Sequence, residues 1–498
     1  MSSRLRQRAD MNVLRISLAA SESPGEGGGQ SEVVFELTSG GEVELRTSVP
    51  ARALGLAGRS EYTAHRFRYT EPDFRLPESL ALKLEESLLS HRPYPLWVEL
   101  DPPGGRLSFV PWEDLLGALW RRVPTAVLRL PRHSLFGDDS AQNTSDVVLC
   151  ASEPMAKAPI PVHRVVRWMA AAVLAGTRAP ATVHIFADQK NYKRLARELR
   201  GLPRADAEGG PGVRLYDPAE AKYDPAELSK AVEDEAERLD NPWLNWMADS
   251  LPGRAIGVVH FLCHGYFSAE QGALAFAESP SLNRDAKWAR FVGARQINTF
   301  LDRVGASAVA FASPPRNYSV LGLRLLVSQL ASLRPGATFM HGVTDDYRLP
   351  SGAPEFAYDA LNFYRLLFRR DNYIFAPRFP ELWDSFKAGC LYCPPELVYR
   401  GMREPELEAA QELPETTKVV YALGRLAGGG GEGSGWMTSG SNVIKRAALD
   451  LVGVEPTSER QTATHAGARR ALEFVSDVLR RHAGLGGGDD DITRQGGV

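Results

Sequence analysis

Cysteine is scarce, at four residues in 498, too few for a disulfide framework, so a reducing cytoplasm is the default compartment. An excess of charge of either sign is missing as well: 58 Lys and Arg stand against 61 Asp and Glu, a formal net charge of −3. That balance removes the electrostatic case for nucleic acid or an anionic membrane surface as a partner. No apolar run approaches the roughly 18 residues of a membrane helix. Residues 1–20, with Arg4, Arg6, Arg8 and Asp10 ahead of a short strand-like run, lack the apolar centre of a signal peptide. The sequons Asn143-Thr144-Ser145 and Asn317-Tyr318-Ser319 therefore carry no weight. Several site motifs are absent too. The glycine-rich stretch Gly428–Gly435 has no Lys-Ser/Thr and no following helix of a phosphate loop. Cys390-Leu-Tyr-Cys393 has zinc or redox spacing, but no second pair or histidine cluster completes a site. The sequence thus predicts a cytoplasmic protein with no membrane span, no nucleic-acid partner, no metal and no cofactor.

What is present is the composition of a globular chain, 44% hydrophobic and 9% aromatic, long enough for two or three domains. Residues 11–19, 33–37 and 43–46 read as strands, the last two joined across Ser39-Gly40-Gly41, a hairpin signal. A helix is expected from Glu78 to His91, then a strand at Leu96–Leu100, a turn at Asp101–Gly105 and a strand at Leu107–Val110. Residues 1–140 therefore read as a β-rich region. Beyond it strands and helices alternate. Strands are expected at Asp146–Ala151, Thr182–Ala187, Val213–Tyr216 (an edge), Ile256–Cys263, Ala308–Ala312 and Ala337–His341. Helices are expected at His163–Ala175, Asn191–Leu199, Pro218–Leu239, Ala294–Val304, Leu321–Leu333, Glu355–Arg369 and Glu381–Ala388. This rhythm predicts an α/β domain over residues 141–403, a mainly parallel sheet with helices on both faces. Residues 404–498 read as a helical segment with a flexible Gly-rich linker at Ala427–Gly435, an amphipathic helix at Ala468–His482 and a disordered tail.

The candidate site lies at two strand ends. Val258–Gly265 runs five apolar or buried-type residues into Cys263-His264-Gly265, the way a buried parallel strand delivers a polar side chain to the carboxyl edge of a sheet. A lone histidine there is more often structural than catalytic. Its glycine, its strand and a hydroxyl at the end of another strand, Ala308–Ser313, shift the balance. Adjacent parallel strands lie about 4.8 Å apart, so their end loops can bring a base and a nucleophile within reach. Ser313 has no Gly-x-Ser-x-Gly elbow, and Pro314 removes an N–H that an oxyanion hole could use, which favours a loop residue. Cys263 points away from its neighbour His264 and reads as core. His264 and Ser313 are the candidate catalytic pair, with Cys263, Gly265 and Arg316 as candidate binding residues.

Over roughly residues 75–400 these features, taken in order, resemble the CHAT domain, the caspase- and separase-like module of bacterial proteins. Leu107–Leu116 (Leu-Ser-Phe-Val-Pro-Trp-Glu-Asp-Leu-Leu) is similar to the family's L-x-x-(L/I)-P-W-E-x-L segment. His260-Phe-Leu-Cys-His-Gly265 is similar to its H-F-x-x-H-G, whose second histidine is the base. Gly272–Glu278 resembles the strand pair that follows, Gly293–Ala312 the helix and strand leading to the nucleophile, and Leu333–Thr338 and Phe356–Leu367 the next turn and helix. The resemblance implies a caspase-like peptidase fold with His264 as base. It also places Ser313, in Phe311-Ala-Ser313, where the family has the cysteine of N-A-C, and the accompanying TPR repeats are absent. A serine there starts from a far higher pKa than a cysteine. The expected function is a catalytically impaired pseudo-protease that binds a protein or peptide partner in a bacterial defence or signalling system. The alternatives are an active hydrolase with a Ser313–His264 dyad, and a scaffold docking through the helix at 468–482.

Overall fold

A computed structural model describes residues 11–19, 31–56, 73–89, 95–117, 126–132, 146–154, 160–177, 181–205, 210–221, 239–251, 253, 256–268, 271–281, 289–314, 317–343, 355–368, 389–395 and 397. Residues 1–135 and 139–411 form one compact unit, whereas a second unit of residues 136–138 and 412–498 lies outside the described residues. The Gly-rich linker, the helix at 468–482, the helix at 381–388 and residues 222–238 of the long charged helix fall outside them as well.

The chain opens with β1 (Asn12–Ala19), β2 (Glu32–Ser39) and β3 (Glu42–Pro50), an antiparallel meander. Gly40 and Gly41 take φ of 55° and 88° in the β2–β3 turn, a conformation that requires glycine or a near substitute. α1 (Glu78–Leu89) buries Leu80, Leu84 and Leu88 at helical spacing against this layer, each contributing about 1.5–3 kcal/mol of apolar burial. β4 (Leu96–Asp101) lies parallel to β1, and the short β5 (Val127–Arg129) lies parallel to β4. The expected strand at Leu107–Val110 is instead a helical turn, Arg106–Phe109. The Trp112 indole donates to the Leu107 carbonyl at 2.9 Å, and the turn buries Leu107 and Phe109. α2 (Trp112–Gly117) then sets Trp112 edge-on to Phe35 at 5.9 Å.

The remaining elements alternate: β6 (Val147–Ala151), α3 (Val162–Gly176), β7 (Thr182–Ala187), α4 (Gln189–Glu198), β8 (Gly212–Leu215), α5 (Pro242–Ser250), β9 (Val258–Leu262), β10 (His264–Ser268), β11 (Gln271–Ala277), β12 (Ala289–Gly293), α6 (Ala294–Arg303), β13 (Ala308–Ser313), α7 (Asn317–Leu333), β14 (Thr338–Gly342), α8 (Glu355–Phe368) and β15 (Gly389–Tyr392). Twelve strands form one mixed, mostly parallel sheet in the order β3-β2-β1-β4-β5-β15-β14-β13-β9-β6-β7-β8. The β-rich region and the later strands therefore share a sheet. β8 is an edge strand, as the sequence suggests, with β3 at the other edge, and β15 is antiparallel to β14. Alternate residues of each strand feed two cores. Val147, Leu149, Val258 and Leu262 join α3 and α8 on one face, while Val148, Cys150, Val259 and Phe261 join α5, α6 and α7 on the other. β10, β11 and β12 make a separate three-stranded sheet. Among the described residues no helix is long and apolar enough to cross a membrane.

Candidate functional site

The buried run of β9 pairs with β13 in parallel register, Leu262 beside Ala312, with Phe261 stacked on Phe311 at 5.7 Å. The Cys263 N–H donates to the Ala312 carbonyl at 3.2 Å, so both strands end at one level. There the chain leaves the large sheet: His264 begins β10, paired with Ala275 of β11. The hairpin lies directly on α7 because three glycines let backbones meet. A Cβ on Gly265 would fall 2.1 Å from the Ser319 carbonyl oxygen, one on Gly272 2.3 Å from Leu326 N, and one on Gly322 2.6 Å from the Tyr266 backbone. Gly265 is therefore a packing requirement as well as the residue after His264.

The structure brings Gly265 and Ser313 together through Ser319 of α7, a residue that the sequence reading did not single out. Ser319 Oγ accepts the Gly265 N–H at 2.6 Å and lies 2.5 Å from Ser313 Oγ. Ser313 Oγ also donates to the Pro314 carbonyl at 3.3 Å. His264, Ser313 and Ser319 are 3%, 1% and 3% exposed. Cys263 points into the core on the α7 side, and burial pushes its thiol up to about 12. Arg316 lies outside the described residues. Cys390 and Cys393 belong to the cores on opposite faces of the sheet, which keeps the pair from acting as one site. All four cysteines are buried, and none is in a disulfide.

Two further groups of buried polar side chains lie within the same unit. Glu113, in the Pro-Trp-Glu segment, accepts Arg129 Nε at 2.6 Å, Arg129 Nη2 at 3.2 Å and Arg324 Nη1 at 3.0 Å. Arg129 also donates to the Val110 carbonyl at 3.0 Å and to Tyr392 at 3.3 Å. Burial alone would raise the Glu113 carboxyl, but the two guanidiniums outweigh that and hold it below the usual carboxylate range. The cluster ties α2, β5, β15 and α7 into one piece.

The second group is a histidine chain. His260 Nε2 lies 3.1 Å from His341 Nε2, His260 Nδ1 2.7 Å from Tyr364 Oη, and His341 Nδ1 3.2 Å from the Gly342 carbonyl. The two rings meet across β13 because Ala310 and Ala312, their register partners, are small. A carbonyl only accepts, so His341 is protonated on Nδ1, His260 on Nε2, and Tyr364 donates to His260. Both rings are neutral. Burial holds His260 well below its ordinary range and His341 at about 4.

The hydroxyls of Ser313 and Ser319 and the Gly265 N–H thus form one buried hydrogen-bonded group where β9 and β13 end. Among the described residues no group of three or more His, Cys, Asp or Glu is placed to hold a metal ion. Compared with protein-family models, curated proteins and solved structures, the chain matches none.

Proposed function

We propose that this chain is a CHAT-type, caspase-like protein that has lost cysteine-peptidase chemistry and binds a peptide or protein partner at the His264 edge. The observation that carries this reading is the pairing of β9 with β13, which sets His264 and Ser313 at neighbouring strand ends with a hydroxyl where the resembling family has its thiol. The strand order β8-β7-β6-β9-β13-β14-β15, parallel but for β15, supports it as a frame for one edge site. Pro314 supplies no N–H beside the nucleophile position, and Ser313 makes its hydrogen bonds to Ser319 and Pro314. An uncharged hydroxyl so engaged is a poor nucleophile. Panning phage-displayed random peptides against the full-length protein tests the reading. Enriched peptides whose capture is lost in His264→Ala support it; no enrichment, or capture indifferent to His264, overturns it.

The rival reading is a working hydrolase using Ser313 and His264, favoured by the same strand-end adjacency. It requires that Ser313→Ala and His264→Ala each abolish peptide turnover and that Ser313→Cys enhance it.

A further inference from the structure

In an acyl-transfer site the reacting oxygen sits about 3 Å from both the nucleophile and the N–H groups that stabilise its charge. The oxygen that meets both conditions here belongs to the protein itself. Ser319 Oγ is 2.6 Å from Gly265 N and 2.5 Å from Ser313 Oγ. It cannot easily withdraw. The Ser319 main chain is wedged against Gly265, Gly322 on the next turn is wedged against Tyr266, and Arg324 is anchored on Glu113. We propose that Ser319 is a built-in plug, its hydroxyl filling the place where a ligand's carbonyl oxygen would accept the Gly265 N–H.

The site is then silenced by two independent features, the missing thiol and the filled acceptor position. The inference rests on reading the His264 edge as a peptide site, and it adds how that site is regulated: a ligand oxygen must displace Ser319, so binding is coupled to the first turns of α7. It follows that restoring a thiol at position 313 is not sufficient to restore reactivity.

Alkylation by iodoacetamide, read by intact mass on the full chain, tests the plug. Ser319→Ala alone, which keeps the four natural buried cysteines and Ser313, gives the background labelling to subtract. Iodoacetamide carries a carbonyl oxygen able to take the vacated acceptor position. Ser313→Cys is expected to label slowly, and Ser313→Cys with Ser319→Ala at least about tenfold faster, what one hydrogen bond from the Gly265 N–H to the reagent's carbonyl oxygen contributes. Equal rates in the two folded variants, checked by melting temperature, overturn the plug. Should Ser319→Ala fail to fold, hydrogen exchange at the Gly265 amide of the unsubstituted protein decides. Protection supports the plug, and exchange as fast as an exposed amide overturns it. Iodoacetamide needs no peptide recognition, so this result stands apart from the success or failure of peptide panning.

Discussion

Replacing Glu113 with Gln removes the one negative charge between Arg129 and Arg324 while keeping the size of the side chain. In the native protein Glu113 accepts three hydrogen bonds from the two guanidiniums, and the three residues are 2%, 0% and 5% exposed. The amide of Gln offers one accepting oxygen and turns an NH2 toward a second cation, setting donor against donor, taking from Arg129 its paired carboxylate and leaving Arg324 the half-exposed Asp114 at 3.9 Å. Breaking a buried ion pair by removing one partner costs about 3–5 kcal/mol, against a typical total stability of about 5–15 kcal/mol. With a urea m-value of ~3 kcal/mol/M the unfolding midpoint falls by about 1 M or more. Urea titration followed by tryptophan fluorescence measures this, since Trp112 adjoins Glu113 in α2. Exchanging all three residues for apolar ones (Arg129→Met, Glu113→Leu, Arg324→Met) should be less damaging than Glu113→Gln alone, because no buried charge is left unpaired and Asp114, which loses Arg324, is half-exposed to water. A loss below about 1 kcal/mol for Glu113→Gln would refute the claim that this cluster holds α2, β5 and α7 together.

Stability should also fall as pH drops from about 6.5, with the histidine chain as the source. The unfolded imidazole titrates near 6.5 and folded His341 near 4, so between those values the unfolded chain binds more protons. The contribution of His341 is on the order of 3 kcal/mol, fully present above 6.5 and lost by about 4. Urea midpoints at pH 7 and pH 5 should differ, and the difference should shrink in His260→Phe/His341→Leu; a slope unchanged by that pair of substitutions contradicts the assignment. Gly322→Ala should lift the β10–β11 hairpin off α7, because the new Cβ would lie 2.6 Å from the Tyr266 backbone. Overpacking of this kind costs about 1–3 kcal/mol, and deuterium uptake across 264–277 should rise; unchanged uptake would show that the hairpin does not depend on this contact.

Much of the sheet is legible in the sequence because its strands are short, continuous apolar runs, and such runs are what burial on both faces demands. Val147–Ala151, Thr182–Ala187, Val258–Leu262 and Ala308–Ser313 stand within a residue or two of expectation. Other elements carry no such signal. β5 is three residues long and ends in Arg129, which reads as a solvated charge until Glu113 is placed beside it. α5 (Pro242–Ser250), β12 and β15 were equally silent, β15 because its Gly-Cys-Leu-Tyr run attracts attention as a cysteine pair rather than as a strand. The Leu107–Val110 run has the residues of a strand, yet the hydrogen bond from Trp112 curls it into a turn. At the site, His264 and Ser313 are legible as strand ends. Ser319 is not, because Pro314 and Pro315 advertise a loop and a serine at a helix start has many bland explanations. Only the packing of α7 on Gly265 reveals it. The histidine chain was hidden for a similar reason. His260, His341 and Tyr364 are far apart in sequence, and the Ala310–Ala312 gap that lets the rings meet is visible only in register.

The central claim is that the His264 edge holds a peptide and does not cut it. Incubating the full-length protein and Ser313→Ala with a series of electrophilic serine- and cysteine-directed peptide probes, read by intact mass, tests it most directly. The account predicts no adduct that depends on Ser313. An adduct on the unsubstituted protein that disappears in Ser313→Ala would mean a living hydrolase and contradict it.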